Sequence, residues 1–240
     1  MTASLDDLPP LPEALARALP VALARIQATP GVLGIVWCGS AAQGQADAHS
    51  DLDFHVLVDG EHRWISTYAV GGVPIEVFHN PAAKVRAMIE EGDAATLAMY
   101  GRGRVLLNHP DLGALIELAR ARLAAGRAPR ALSAFERHKL VDGLWEGRSA
   151  VGQPIHPLLA METLDRLVHA LYAVRGWWDV KPKHWLAEVE AREPGAALHL
   201  RSALEATDAE ARQAALEALA LMVLPDLNPV EGGTAPERVG

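Results

Sequence analysis

Several residue types are scarce in this sequence, and each shortage excludes something. Among 240 residues there is one cysteine, Cys38, so neither an intramolecular disulfide nor a cysteine-based zinc site is open to the chain. A reducing cytoplasm is therefore its expected setting. No window of 18 uncharged apolar residues occurs, which argues against a membrane-spanning helix. The acidic, proline-punctuated start MTASLDDLPPLPEAL lacks the basic and apolar regions of a signal peptide. Positive charge is in deficit: 22 Lys and Arg face 30 Asp and Glu, for a net charge of −8 and a pI near 5.7. A nucleic-acid binder needs a basic face to release counterions, so no nucleic-acid partner is expected. Glycine (20) and proline (16) are too few for a low-complexity chain. What remains is ordinary globular composition, 50% hydrophobic and 22% charged, enough for one large domain or two small ones.

Hydrophobic periodicity divides the chain in two. Residues 11–28 carry helical spacing and stop at Thr29-Pro30-Gly31. Residues 32–38 form an apolar run typical of a buried strand, ended by Gly39-Ser40 and the small-residue loop AAQGQADAHS. Residues 51–58 alternate as a second strand, and 63–70 and 73–78 read as two more, joined by Gly71-Gly72 as a hairpin. Asn80-Pro81 predicts the N-cap and first turn of one helix running through Met99, and 104–107 a last short strand. After residue 110 every periodic stretch is helical: 110–125, 132–147, 157–176, 183–191, 196–206 and 208–223. The predicted class is α+β, with a short mixed sheet and flanking helices over residues 1–126, a helical bundle over 127–225 and a flexible tail over 226–240.

One constellation carries chemistry. Gly39-Ser40 is followed, after ten residues, by Asp51-Leu52-Asp53-Phe54. On a strand, aspartates at i and i+2 point to the same face. Two like charges side by side repel unless a cation lies between them. Oxygen-only ligands suit Mg²⁺, with Mn²⁺ as a substitute, held by one or two carboxylates together with substrate phosphates. Gly39 and Ser40 end the preceding strand in a way that lets backbone and hydroxyl approach a phosphate. Glu76 is an acid in the apolar run Ile75-Glu76-Val77, and becomes the third carboxylate if its strand neighbours that of Asp51.

The stretch GSAAQGQADAHSDLDFHVLVD resembles the signature of the DNA polymerase beta-type nucleotidyltransferase superfamily. It is most similar to that of the aminoglycoside (antibiotic) adenylyltransferases, which also reads Gly-Ser-Ala, a glycine-containing loop, then Ser-Asp-x-Asp. The antitoxin-like minimal nucleotidyltransferases usually carry arginines in that loop, where this chain has Ala41 and Gln43. The resemblance covers residues 31–107. It implies a mixed sheet holding the metal site and a helical domain completing the cleft. It further implies that Asp51, Asp53 and Glu76 are the catalytic and metal-binding acids, with Gly39, Ser40 and Ser50 at the nucleotide.

Two of the four lysines, Lys181 and Lys183, stand together in Trp177-Trp178-Asp179-Val180-Lys181-Pro182-Lys183-His184-Trp185. Compact positive charges in a chain that otherwise uses arginine suggest a phosphate contact, with a solvated turn as the plain alternative. The same segment resembles the one from which a lysine meets the triphosphate in such enzymes. Trp145, Trp177, Trp178 and Trp185 are candidates for stacking on a base or acceptor, with core packing the expectation for at least two. Leu158, Met161, Leu164, Leu167 and Leu171 are read as a core stripe. Cys38 is read as inert, and His55 as facing away from the aspartates in a structural or solvent-facing role. The expected function is transfer of a nucleoside monophosphate, AMP from ATP, to a hydroxyl of a small polar acceptor with release of pyrophosphate. The acidic balance favours a cationic, aminoglycoside-like acceptor, and Asp111, Glu117, Glu136, Asp142 and Glu146 are candidates for its wall. The rival readings are a protein-modifying (AMPylating) transferase and a non-catalytic nucleotide-binding or interaction module. The alanine-rich 208–223 helix is a candidate homodimer seam.

Overall fold

The computed structural model describes residues 8–229 and is α+β. It divides into two compact units, one ending at Ala125 and one beginning at Gly126. No helix among the described residues is long and apolar enough to cross a membrane.

The first unit is built on strands β1 (Val32–Cys38), β2 (Leu52–Val58), β3 (Trp64–Val70), β4 (Val73–Pro81) and β5 (Arg104–Leu107), in the order β3-β4-β2-β1-β5. β2 pairs antiparallel with β1 and parallel with β4, while β3 and β5 pair antiparallel with β4 and β1 at the edges. All seven residues of β2 are buried, as expected of a central strand covered on both faces. Helix α1 (Glu13–Gln27) covers one face: Leu15, Leu19 and Ile26 pack with Trp37, Phe54, Val56 and Ile75. Large apolar side chains buried this fully are worth about 1.5–3 kcal/mol each, so this layer is a main source of the unit's stability. The other face meets helices α3 (Ala82–Glu91) and α4 (Ala94–Arg102), with α5 (Pro110–Ala125) packed on both.

Three local expectations for this unit need correcting. The helix expected through Met99 is two helices, because Gly92 adopts φ +80° and Asp93 starts a new one, its side chain accepting from the Thr96 N–H at 2.7 Å. Asn80 is no helix cap: it is buried in β4 opposite Leu57, and Pro81 itself caps α3. The loop after β1 opens with a single helical turn, α2 (Gly39–Ala42), too short to leave a periodic signal.

The second unit packs α6 (Ala134–Ser149), α7 (His156–Arg175), α8 (Trp185–Arg192), α9 (Pro194–Glu205) and α10 (Ala209–Ala220) around one apolar core. Helix α6 approaches its neighbours through glycines. A β-carbon on Gly143 would lie 2.9 Å from Thr163 Oγ1 of α7, and one on Gly147 would lie 2.6 Å from Gln213 Oε1 of α10. That close approach leaves room only for small or thin residues, and Ala160 and Thr163 line the inner side of α7. Leu158 and Met161, expected in the core, are instead exposed, while Leu164, Leu167 and Leu171 are buried. The apolar face of α10, the candidate dimer seam, is buried within this unit as Ala215, Leu216, Leu219 and Ala220. Trp185 is core and Trp177 packs against it, whereas Trp145 is half exposed and donates to the Leu227 carbonyl at 3.2 Å. The start of the expected tail is thus held, and residues 230–240 lie outside the described residues.

Helix α6 opens with a reciprocal cap: Ser133 Oγ accepts from the Glu136 N–H, and the Glu136 carboxylate accepts from the Ser133 N–H. Arg130 donates to both Glu136 oxygens, at 2.8 and 2.6 Å, and with Ser133 holds the Glu136 carboxyl down to about 2 from 4.5. A carboxylate lowered on folding stabilises above its unfolded pKa and ceases to do so as pH falls through its folded value. Glu136→Gln is therefore expected to cost about 1 kcal/mol at pH 7 after solvent screening. The gap to wild type should narrow between pH about 4.5 and 2. Urea unfolding across that range checks this, and a pH-independent gap would assign the cost to packing.

Candidate functional site

The register of the sheet assembles the candidate site. Cys38 of β1, Asp53 of β2, Glu76 of β4 and Thr67 of β3 are successive cross-strand partners. Directly paired residues project from the same face, so these four form one row. The condition on Glu76 is met: its strand neighbours β2, and its partner in the parallel pairing is Asp53. Asp53 is 6% exposed and Glu76 half-buried, while Asp51 is exposed one residue before β2 begins.

Gly39 makes the row possible. Its φ is +76°, which favours glycine, and a β-carbon there would stand 2.5 Å from Asp53 Oδ2. The chain thus turns out of β1 with its bare α-carbon lying against the Asp53 carboxylate. Ser40 follows in α2, and its carbonyl accepts from the Gln43 and Gln45 N–H groups at 3.2 and 2.9 Å, curling the loop back toward β2. Ser50 is fixed by Asp47: its Oγ accepts from the Asp47 N–H at 2.9 Å and donates to Asp47 Oδ1 at 3.1 Å.

The next row on the same face is Val36, His55 and Phe78. His55 therefore shares the face of Asp53, since residues two apart on a strand point the same way, and the opposite placement is corrected. Nor is it solvent-facing. It is 5% exposed, with its ring 4.8 Å from Phe78 and edge-on to Tyr100 at 5.3 Å. Both its ring nitrogens and the Tyr100 hydroxyl are buried without a hydrogen-bond partner in this structure. Burial lowers the His55 pKa to about 4, against a weaker opposing pull from Asp93. The Cys38 thiol is buried, and burial together with the Asp53 charge pushes its pKa well up, so it stays protonated and inert.

The neighbouring Asp53 and Glu76 carboxylates are oxygen donors of the kind a hard cation takes, with a protonated thiol and a buried neutral imidazole beside them. Among the described residues no group of three or more His, Cys, Asp or Glu side chains is arranged to hold a metal ion. Asp51 follows the Ser50 turn at the mouth of β2.

Lys181 and Lys183 lie in the second unit, exposed on either side of Pro182 in a short 3₁₀ turn (Pro182–His184) leading into α8. The acids considered for an acceptor wall divide between α5 and α6. Glu117 is paired with Arg120 at 3.0 Å, Glu136 with Arg130, and Asp142 loosely with Lys139 at 4.0 Å.

No family model and no curated protein matches the sequence. Among solved structures the chain is similar to a nucleotidyltransferase-like protein from Exiguobacterium sibiricum, at 12% identity and a TM-score of 0.45. That similarity covers 86% of this chain and 74% of the other.

The Gly39–Asp53 contact can be tested by a double-mutant cycle. Gly39→Ala is expected to cost about 2–3 kcal/mol, roughly half from the left-handed backbone and half from the displaced carboxylate. In an Asp53→Ala background the second part should vanish, giving a coupling of about 1 kcal/mol in denaturant unfolding. Additive costs would show that the two residues do not meet.

Proposed function

We propose that the chain is a Mg²⁺-dependent nucleotidyltransferase that moves a nucleoside monophosphate, AMP from ATP, onto a hydroxyl of a small polar acceptor. The observation that supports this reading is the pairing of Asp53 with Glu76 in one row, closed at its β1 end by the positive-φ Gly39 against Asp53 Oδ2. In the reaction the acceptor oxygen bonds to the α-phosphorus, the bridge to the β-phosphate breaks, and pyrophosphate leaves with the negative charge. A divalent cation held by Asp53, Asp51 and Glu76 would supply charge neutralisation at the reacting phosphate.

The chain's own residues divide the remaining work. Asp53, and Asp51 at the strand mouth, hold the cation end of the nucleotide. The Gly39-Ser40 turn, lying against the Asp53 carboxylate, offers backbone N–H groups and a hydroxyl to phosphate oxygens. Glu76, beside Asp53 and less buried, takes the acceptor hydroxyl's proton as general base or joins in holding the cation. Ser50 shapes the loop through Asp47. A cationic, aminoglycoside-like acceptor fits the net charge of −8.

Calorimetric titration of the four nucleoside triphosphates, with and without Mg²⁺, is the direct test. One triphosphate is expected to bind only with the metal, and Asp53→Asn to weaken it roughly 100-fold, about 2.7 kcal/mol. Glu76→Gln should abolish pyrophosphate release in the presence of acceptor while the fold survives. Triphosphate binding by wild type that Asp53→Asn leaves unchanged would overturn the site, and binding with no turnover on any acceptor would favour a non-catalytic module.

A further inference from the structure

The second unit carries a groove that the proposed reaction does not use. It lies between α6, α7 and the segment leading into α6, and encloses about 250 Å³. Leu132, Leu140, Ala170 and Phe135 form its apolar lining. Phe135 is the telling residue, because it lines the groove yet is 57% exposed. A large aromatic ring left uncovered beside a concave apolar surface is a stacking face.

The charges around the lining are unequal in number and in how they are held. Three cations, Arg130, Lys139 and Arg166, line it against two acids, Glu136 and Asp165, in a chain whose overall balance is strongly acidic. Arg130 and Glu136 neutralise one another through their two-pronged contact. Lys139 and Arg166 are held loosely: Asp142 stands 4.0 Å from Lys139 and Glu162 3.9 Å from Arg166, both outside the lining. Lys139 Nζ instead lies over the Phe135 ring, 5.8 Å from its centre. The walls are braced independently of any ligand, by the Arg130–Glu136 clamp on one side and by His169 Nδ1 with Asp179 at 3.0 Å on the other. A pre-formed apolar slot with two loosely paired cations matches a flat organic anion.

We infer that this groove is a binding site for a small aromatic anion, a one- or two-ring carboxylate or sulfonate. Its ring lies against Phe135 and the aliphatic floor, and its charge meets Lys139 and Arg166. At about 250 Å³ the groove is below the usual range for drug-sized ligands, which limits the occupant to a fragment-sized molecule. The attraction is partly exposed and weakens with added salt.

The test is calorimetric titration of 1-naphthoate and its uncharged analogue 1-naphthamide into the whole chain. Naphthoate is expected to bind with a Kd below about 1 mM, and the amide at least roughly fivefold more weakly. Lys139→Gln with Arg166→Gln should remove the preference for the anion. Phe135→Ala, at an exposed position that the fold tolerates, should weaken both compounds. Arg201→Gln, on α9 and paired with Glu190, should change neither. Failure of naphthoate to bind, equal binding of acid and amide, or binding indifferent to the Lys139, Arg166 and Phe135 changes would each overturn the proposal. None of these readouts depends on nucleotide turnover, so the two proposals stand or fall separately.

Discussion

The parallel pairing of β2 with β4 is the constraint on which the first unit depends, because it sets two acids side by side in a sheet whose other pairings are antiparallel. A parallel neighbour cannot follow directly by a tight turn. The chain satisfies this by laying β3 outside and folding back through Gly71-Gly72, so that β4 enters between β3 and β2. The cost is an exposed edge strand, and the result is that Glu76 arrives opposite Asp53 and not one residue to either side. A slip of one residue would turn Ile75, Val77 and the rest of the α1-facing layer to the wrong face. The apolar core thus fixes the placement of the acids, and the site inherits its geometry from packing that has no chemical role.

How far this was legible in the sequence differs by residue. Asp53, the apolar strand before Gly39 and the acid among Ile75 and Val77 follow from alternation, because strand periodicity is local, whereas Asp51, read as part of the same strand, falls one residue before β2. The neighbour relation of β2 and β4 is not local, and entered the sequence reading only as a condition on Glu76. His55 falls under the same alternation rule that sets Asp51 and Asp53 together, yet the reading along the strand puts it on the opposite face, in a structural or solvent-facing role, whereas counting by two puts it beside Asp53. The ring is buried because Phe78 and Tyr100 close over it. The division of α3 from α4 had a signal as well, since Gly92-Asp93 is a stop followed by a cap.

In the second unit hydrophobicity pointed the wrong way over one stretch. Leu158 and Met161 begin an apparent core stripe, yet the inner side of α7 there is His156, Ala160 and Thr163. The reason lies on the facing helices: Gly143 meets Thr163 directly, and at such short range small side chains fill the contact better than leucine. The fate of an apolar residue depends on how closely the partner helix approaches, which the residue's own segment does not encode.

The row beneath the acids bears on what kind of chemistry the site permits. With its pKa near 4, His55 is neutral at physiological pH, so it brings no positive charge toward Asp53 from within the sheet. Cys38, on the other side of Asp53, is protonated and contributes a thiol, not a charge. Gly39 closes the β1 end of the row against Asp53 Oδ2, whereas Glu76 on the far side is only half-buried, so of the two paired acids Glu76 is the one more open to an incoming charged group. With a neutral, aromatic-flanked ring at His55 and a protonated thiol at Cys38, neither of these two same-face neighbours of Asp53 on β2 and β1 carries charge, so at those two positions the sheet adds no cation to the row of acids.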